Sequence, residues 1–318
     1  MSFEILDSST LDRIKWAELV QASPHSTFFQ NSCWGEVWEK SLKNCRALFF
    51  VEESGGNYSN GLPLVEIKKY KLASYFSMPM GTYGGVLSTV PDADSRTEFL
   101  RKVLRHLESP PAVRIQIVDF SNECSYVSGL GFKRKMASTQ IINLKSLDLP
   151  QLLSKRGAGR AAKEGVEVKF IQTAQEVEEC YGIYLQTAQR HGEKPKYSQD
   201  FYRNLFALGR NQNWLVWWLA TKSGRVCGYS IKFAFKDQIY PFDSASAPGQ
   251  SSLRISDLLL GQGLEWAAKN NFSGFNLGGT PESAPGVKDF KRQWGGEEKS
   301  YPVYEKVSLL GKLAGLIR

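Results

Sequence analysis

Apolar residues recur along this chain with two periods, and the alternation between them outlines an architecture. "TLDRIKWAELVQAS" sets Leu11, Ile14, Trp16 and Leu19 at helical spacing, and "SCWGEVWEKSLK" predicts a second helix with Ser32 as its N-cap. "CRALFFVEE" and "GLPLVEIKKY", split by a Gly/Asn turn, predict a strand-turn-strand unit. "SMPMGTYGGVLS" is a Gly/Pro-punctuated loop running into a strand. An amphipathic helix, "DSRTEFLRKVLRHLES", then precedes two strands, "AVRIQIVDF" and "KMASTQIINL".

The second half repeats that order. "SLDLPQLLSKRGAGRAAKEG" and "TAQEVEECYGIYLQTAQRHG" predict helices. "NWLVWWLATKSGRVCGYSIKFAFKDQIYPFDSAS" predicts a three-strand meander with turns at Ser223-Gly224 and Lys236-Asp237. Its first strand is apolar on both faces, as a central strand is, and is not a base-stacking platform. "RISDLLLGQGLEWAAKN" predicts a helix, and "FSGFNLGG" and "KSYPVYEKV" predict strands. The halves share helix, strand, a Phe-Lys-Arg loop and strand, the loop reading "FKRK" at Phe132 and "FKRQ" at Phe290. A repeat that long is a duplicated domain and not a solenoid. The division is expected near Ser146 to Pro150, giving domains 1–147 and 148–318. A meander followed by a βαβ unit predicts an α/β (α+β, mixed-sheet) layer fold in each.

Composition narrows the picture only a little. Apolar residues at 42% and charged residues at 23% are ordinary for a soluble globular protein. No apolar run reaches the ~18 residues of a membrane span, and the acidic opening "MSFEILDSSTLD" lacks the order of a signal peptide. Scattered cysteines (Cys33, Cys45, Cys124, Cys180, Cys227) predict reduced cytosolic thiols. His25, His106 and His191 are unpaired in sequence, so no His-ligated metal is expected. The formal net charge of +8 favours a polyanionic partner: RNA, a pyrophosphate-bearing precursor or an anionic membrane face.

Six stretches in order carry a resemblance: "PHSTFFQNSCWGEVW", "LPLVEIKK…SMPMGTYGGVL", "LLSKRGAGRAAKEGVEV", "YLQTAQRHG", "LEWAAKNNFSGFNLGG" and "FKRQWGGE". Together, and nearly end to end, they resemble the FemAB (FemABX) family, tandem-GNAT proteins that include aminoacyl-tRNA-dependent peptidyltransferases of cell-wall synthesis. The resemblance implies two GNAT-like (acyl-CoA N-acyltransferase-like) domains, the second bearing the active site. It also implies a cytoplasmic transferase that moves an aminoacyl or acyl group onto an amine of a peptidoglycan-type envelope precursor. Aminoacyl-tRNA is the implied donor, and acetyl-CoA or another acyl-CoA the alternative, serving exopolysaccharide or amino-sugar synthesis. Transient contact with the inner membrane face is a further expectation; DNA is not an expected partner. From another class, a binding module that kept the fold and lost its chemistry competes with both.

The same resemblance nominates residues. Lys291, beside Phe290, matches the family's Phe-Lys pair; an ammonium there either stabilises the oxyanion of acyl transfer or grips a tRNA phosphate, against a solvated lysine in the charged run "KDFKR". Lys133, in the first half, is its relic. Asp119, ending "VRIQIV", and Asp243, after "IYPF", are candidates to orient or deprotonate the amine, against a plain structural role for each. Tyr240 and Arg190 lie on segments resembling acceptor-binding ones. Lys155, Arg156, Arg160 and Lys163 form a basic face read as a phosphate or RNA contact, or as a solvated helix face. "GAGRAA" there imitates a dinucleotide fingerprint, but no strand precedes it. "APGQSSLRI", where a GNAT enzyme holds the CoA pyrophosphate, lacks paired glycines, although Gly249, Ser251 and Ser252 still offer N–H groups. The family's phosphate-binding lysine falls at Trp38, and a long helical hairpin common in the family is missing. "VSLLGKLAGLIR" reads as a basic amphipathic helix that packs on the core or touches a membrane.

Overall fold

The computed structural model describes residues 2–108, 112–122, 125–156, 159–280 and 285–313. The chain forms two compact units: residues 1–137 with 300–318, and residues 138–299. The division therefore falls at 137/138 and not at 147/148, and the C-terminal residues join the first unit. Cys124 and the end of the closing amphipathic stretch, 314–318, lie outside the described residues.

The first unit opens with β1 (Ser2–Asp7), α1 (Arg13–Ala22) and α2 (Ser32–Ser41). Asp12 caps α1 by accepting from the Ile14 and Lys15 N–H groups. The N-cap of α2 is Asn31, with Ser32 already helical. A meander follows, β2 (Cys45–Ser54), β3 (Asn57–Lys69) and β4 (Leu72–Ser77), with the short β5 (Leu87–Ser88) on β3. Next come α3 (Ala93–Leu107) and β6 (Arg114–Val118). Phe99, Leu100, Val103 and Leu104 recur at helical spacing and bury against Phe50, Leu64 and Ile115 of the sheet. Each such side chain removed from water contributes about 2 kcal/mol.

The second unit begins inside β7 (Lys133–Asn143), then adds α4 (Leu149–Arg156), α5 (Arg160–Lys163), β8 (Val166–Phe170), α6 (Ala174–Arg190) and α7 (Gln199–Gly209). Its meander is β9 (Leu215–Lys222), β10 (Arg225–Phe235) and β11 (Gln238–Ser246). Then come α8 (Ile255–Lys269), β12 (Gly274–Gly279), α9 (Pro285–Gln293), β13 (Glu297–Val307) and α10 (Leu309–Leu313).

The strands of the two units belong to one mixed sheet and follow one topology. In each, three antiparallel meander strands lead to a parallel partner, β4 to β6 and β11 to β12. An antiparallel strand then follows: β13 beside β6 in the first unit, β7 beside β12 in the second. The duplicated α/β fold is as expected, but the two Phe-Lys-Arg strings are not equivalent. Lys133 starts a strand, whereas Lys291 ends a helix where a loop was expected.

Candidate active site

The chemistry-bearing residues of the second unit gather where its parallel pair opens. β11 and β12 are joined only at Gln238–Gly274 and Ile239–Phe275. Each then carries a bulge. Ile231 faces Asp243 and Lys232 faces Pro241, leaving Phe242 as the extra residue of β11. Across β12, Leu277 and Gly278 together face the single residue Gln140. Bulges bend a strand and re-aim its side chains, so the two strands part at one level. The matching pair in the first unit stays closed. There β4 and β6 pair from Ser74–Arg114 to Ser77–Ile117, and Gly84 bridges Asp119 beyond.

Helix α9 delivers Lys291 to this opening. Phe290 and Trp294 pack into a core with Leu260, Leu264 and Phe275, which fixes the helix and turns Lys291 toward the end of β12. Its Nζ donates to the carbonyls of Gly278 (2.7 Å) and Gly279 (2.8 Å). An ammonium has three N–H groups, so one remains for a ligand. The side chain is 8% exposed, and burial pushes its pKa down to about 8.

Asn276 sets up those carbonyls. Its Oδ1 accepts from the Thr139 hydroxyl (2.6 Å) and from the Gly278 N–H (2.8 Å). Gly278 is held at a φ of 81°, and a Cβ there would lie 3.2 Å from Pro241 Cγ and 3.9 Å from Lys291 Nζ. Sequence reasoning missed both residues. The signal was the glycine pair closing an otherwise apolar strand, which marks a bulge or a close backbone approach.

Asp243 lies on the other face of the sheet, beneath α6 and α7. Tyr202 and Tyr229, both fully buried, donate their hydroxyls to Asp243 Oδ2. Their oxygens are 3.1 Å apart. Burial raises the Asp243 pKa above the ordinary carboxylate value. Tyr240, 4% exposed and paired across the sheet with Phe233, is a core residue of that same face.

The remaining expectations divide. Arg156 is a clamp, contrary to its reading as part of a phosphate- or RNA-binding face. Its guanidinium bonds Asp257 (3.0 Å) and Gln293 and lies 5.5 Å over the Phe290 ring and 5.4 Å over that of Trp294. Lys155, Arg160 and Lys163 are exposed. Arg190 is exposed on the last turn of α6 and makes no described bond to the site residues. Asp119 belongs to the first unit, where it is 1% exposed and accepts from the Ser121 hydroxyl at 2.6 Å. Trp38 is also buried, edge-on to Trp34 at 5.9 Å. Among the described residues no group of three or more His, Cys, Asp or Glu could hold a metal.

Residues 153–292 match the acetyltransferase (GNAT) domain family. The whole chain superposes on the crystal structure of FemX with a TM-score of 0.74 at 13% identity, covering 99% of each chain. The chain has the tandem-GNAT fold seen in FemX. A tandem GNAT protein from the clavulanic acid pathway is similar too, with a TM-score of 0.64 at 12% identity over 96% of this chain and 98% of that one. So is the C-terminal domain of a putative lysylphosphatidylglycerol synthetase from Agrobacterium fabrum, at 0.62 and 11% over 96% and 95%. No curated protein matches the sequence. The parted strands and Lys291 lie within the residues that match the acetyltransferase (GNAT) domain.

Proposed function

We propose that this tandem-GNAT protein moves an acyl or aminoacyl group from an ester or thioester donor onto an amine of a cell-envelope precursor. The observation that carries the reading is Lys291, an ammonium seated on two carbonyls beside parted strands, with one N–H to spare. The amine nitrogen attacks the donor carbonyl carbon, and the carbonyl oxygen takes up negative charge that Lys291 stabilises. As the C–N bond forms, the amine's proton passes to Asp243, whose pKa burial raises, making it a stronger base than a solvated carboxylate. The C–O or C–S bond then breaks as protonated Asp243 returns that proton to the departing oxygen or sulfur, and the alcohol or thiol leaves.

A direct ternary complex fits the thiols of this unit. Cys180 and Cys227 are buried, and burial pushes both pKa values up, which leaves them protonated and unreactive. Aminoacyl-tRNA is the donor we favour, because the loop before α8 lacks the paired glycines of a CoA cradle. Exposed Lys155, Arg160 and Lys163 supply cations for its phosphates. The acyl-CoA reading draws on the match to the acetyltransferase domain. Among the described residues no helix is long and apolar enough to cross a membrane.

Thermal stabilisation by acetyl-CoA and by charged tRNA separates the donors, since a ligand of the native state raises stability. Stabilisation by CoA alone would reverse our choice. Lys291→Met should remove most turnover, roughly a hundredfold or more, with the melting temperature held. Wild-type turnover should also fall as pH rises through about 8, where Lys291 loses its proton. Full activity in the variant, or a flat profile there, ends the assignment. Saturable binding without product would mark a silent binding module.

A further inference from the structure

Helix α10 turns its leucines outward. The Ser308 N–H donates to the Val113 carbonyl (3.2 Å), and Gly311 lies so close to that carbonyl that a Cβ on it would meet the oxygen at 2.2 Å. The glycine thus seats the helix on the start of β6, while Leu309, Leu310 and Leu313 are 76%, 51% and 85% exposed. A single exposed leucine needs no explanation. Three within five residues, on a segment held by other atoms, form an apolar patch of the kind that marks an interaction surface.

The β3–β4 hairpin stands at the same end of the first unit. The Val113 N–H donates to the carbonyl of Ala73, the second residue of β4 (2.9 Å), so the turn at Tyr70 and Lys71 lies just beyond the strands that seat α10. Tyr70, at the tip, is 90% exposed, and Lys68, Lys69 and Lys71 around it are exposed as well. Exposed Lys43 joins them, because the next residue, Asn44, accepts the Lys68 N–H at 2.9 Å. Two carboxylates near this end are already engaged. Glu66 is buried with Tyr75 at 2.8 Å and Lys68 at 3.1 Å, and Glu108 holds Lys306 at 2.7 Å. Among the described residues no ion pair takes up Lys43, Lys69, Lys71 or Lys312.

Leucines, a tyrosine and uncompensated ammonium groups therefore share one end of the unit. A nucleic acid would engage the lysines and leave the leucines in water. An apolar groove on a protein would take the leucines and strip water from the lysines. An anionic bilayer accepts all of them: acyl chains for the leucines, the headgroup level for the tyrosine, and phosphates for the ammonium groups. We propose that α10 and the β3–β4 hairpin form a docking surface for bilayers rich in anionic phospholipid. This goes beyond the transfer reading and does not depend on it.

Co-sedimentation of the full chain with lipid vesicles, with no donor or acceptor present, tests the surface. Vesicles of phosphatidylcholine mixed equally with phosphatidylglycerol should be bound roughly tenfold or more tightly than vesicles of phosphatidylcholine alone. Added salt should erase most of that difference. Leu309→Ser with Leu313→Ser, and separately Lys69→Gln with Lys71→Gln, should each weaken binding roughly fivefold or more with the melting temperature unchanged. Leu185→Ser, on α6 of the second unit, should bind as the wild type does. Equal affinity for the two kinds of vesicle, binding to neither, full affinity in the leucine variant, or an equal loss in Leu185→Ser overturns the proposal. So does self-association that the leucine variant abolishes, which would give the patch to a second copy of the chain. A protein that docks in this way yet transfers nothing fails only the transfer reading.

Discussion

Gly278 carries a burden that no other residue type can take up without strain. Its φ of 81° lies in the left-handed region, and an added Cβ would press on Pro241 at 3.2 Å. Gly278→Ala should therefore cost roughly 1–3 kcal/mol in chemical denaturation. It should also lower turnover, because the carbonyl holding Lys291 moves with the backbone; wild-type stability and rate together would show that the turn tolerates a side chain. Lys232 is the opposite case, a residue whose removal should help. It is 6% exposed, bonded to the Ser230 hydroxyl, 5.9 Å from the Trp218 ring and 5.6 Å from that of Phe275. No carboxylate pairs with it among the described residues, and burial pushes its pKa down to about 7. The folded chain thus holds its proton less readily than the unfolded chain. The destabilisation is complete below pH 7 and fades as pH rises toward the free value of 10.5. Lys232→Met should raise unfolding free energy near pH 7, with a ceiling of roughly 4 kcal/mol at ~1.4 per pKa unit, and the gain should shrink toward pH 10. A pH-independent gain would show that Lys232 is buried in its charged form. Lys291 and Asp243 could be nominated from the sequence because they stand in recognisable strings. Lys232 was not: in "SIKFAF" it occupies an ordinary alternating position, and only the packing over β10 reveals that its side of the strand is covered.

At the scale of elements, amphipathic helices and the meander could be read from periodicity, while short or polar elements could not. Helix α7 went unread although Phe201, Tyr202, Leu205 and Phe206 have helical spacing and Ser198 accepts from the Phe201 N–H as its N-cap. Helix α9 was taken for a loop because it is short and charged. Its identity shows only in the Val287, Phe290, Trp294 stripe and in Pro285 at its first position. What holds α9 is also non-local. Arg156, 101 residues before its partner Asp257, stacks on the rings of Phe290 and Trp294 and ties the helix to α8. Arg156→Met keeps the stem's volume but leaves Asp257 with Arg254 alone at 3.0 Å. We expect a loss of about 2–3 kcal/mol and faster hydrogen exchange across α9 than across α6. Uniform exchange in both helices would mean that the clamp does not govern α9.

At the scale of the molecule, the duplication was legible and the boundary was not. Strand β13 follows β12 in sequence but is recruited to the first unit by pairing Val303 to Val307 against Val118 to Arg114. Register of that kind is set by contacts far apart in the chain, which local periodicity does not record. On the function proposed above, the duplication poses a question of stoichiometry, because two copies of one fold could hold two donors. Ladder geometry decides for one. In the first unit four consecutive pairs and the Gly84–Asp119 bridge close the parallel strands. Gly84 presses so tightly on Ser77 that a Cβ there would meet the Ser77 carbonyl oxygen at 2.5 Å. Opening that seam would break several backbone hydrogen bonds, each worth about 1 kcal/mol net and more when left unsatisfied. In the second unit the seam ends after two pairs. Calorimetric titration with whichever donor stabilises the protein should therefore give one site per chain, and Gly278→Ala should weaken that single site. A second equivalent of donor, still bound by the Gly278→Ala protein, would show that the closed seam opens and that closure does not distinguish the two copies.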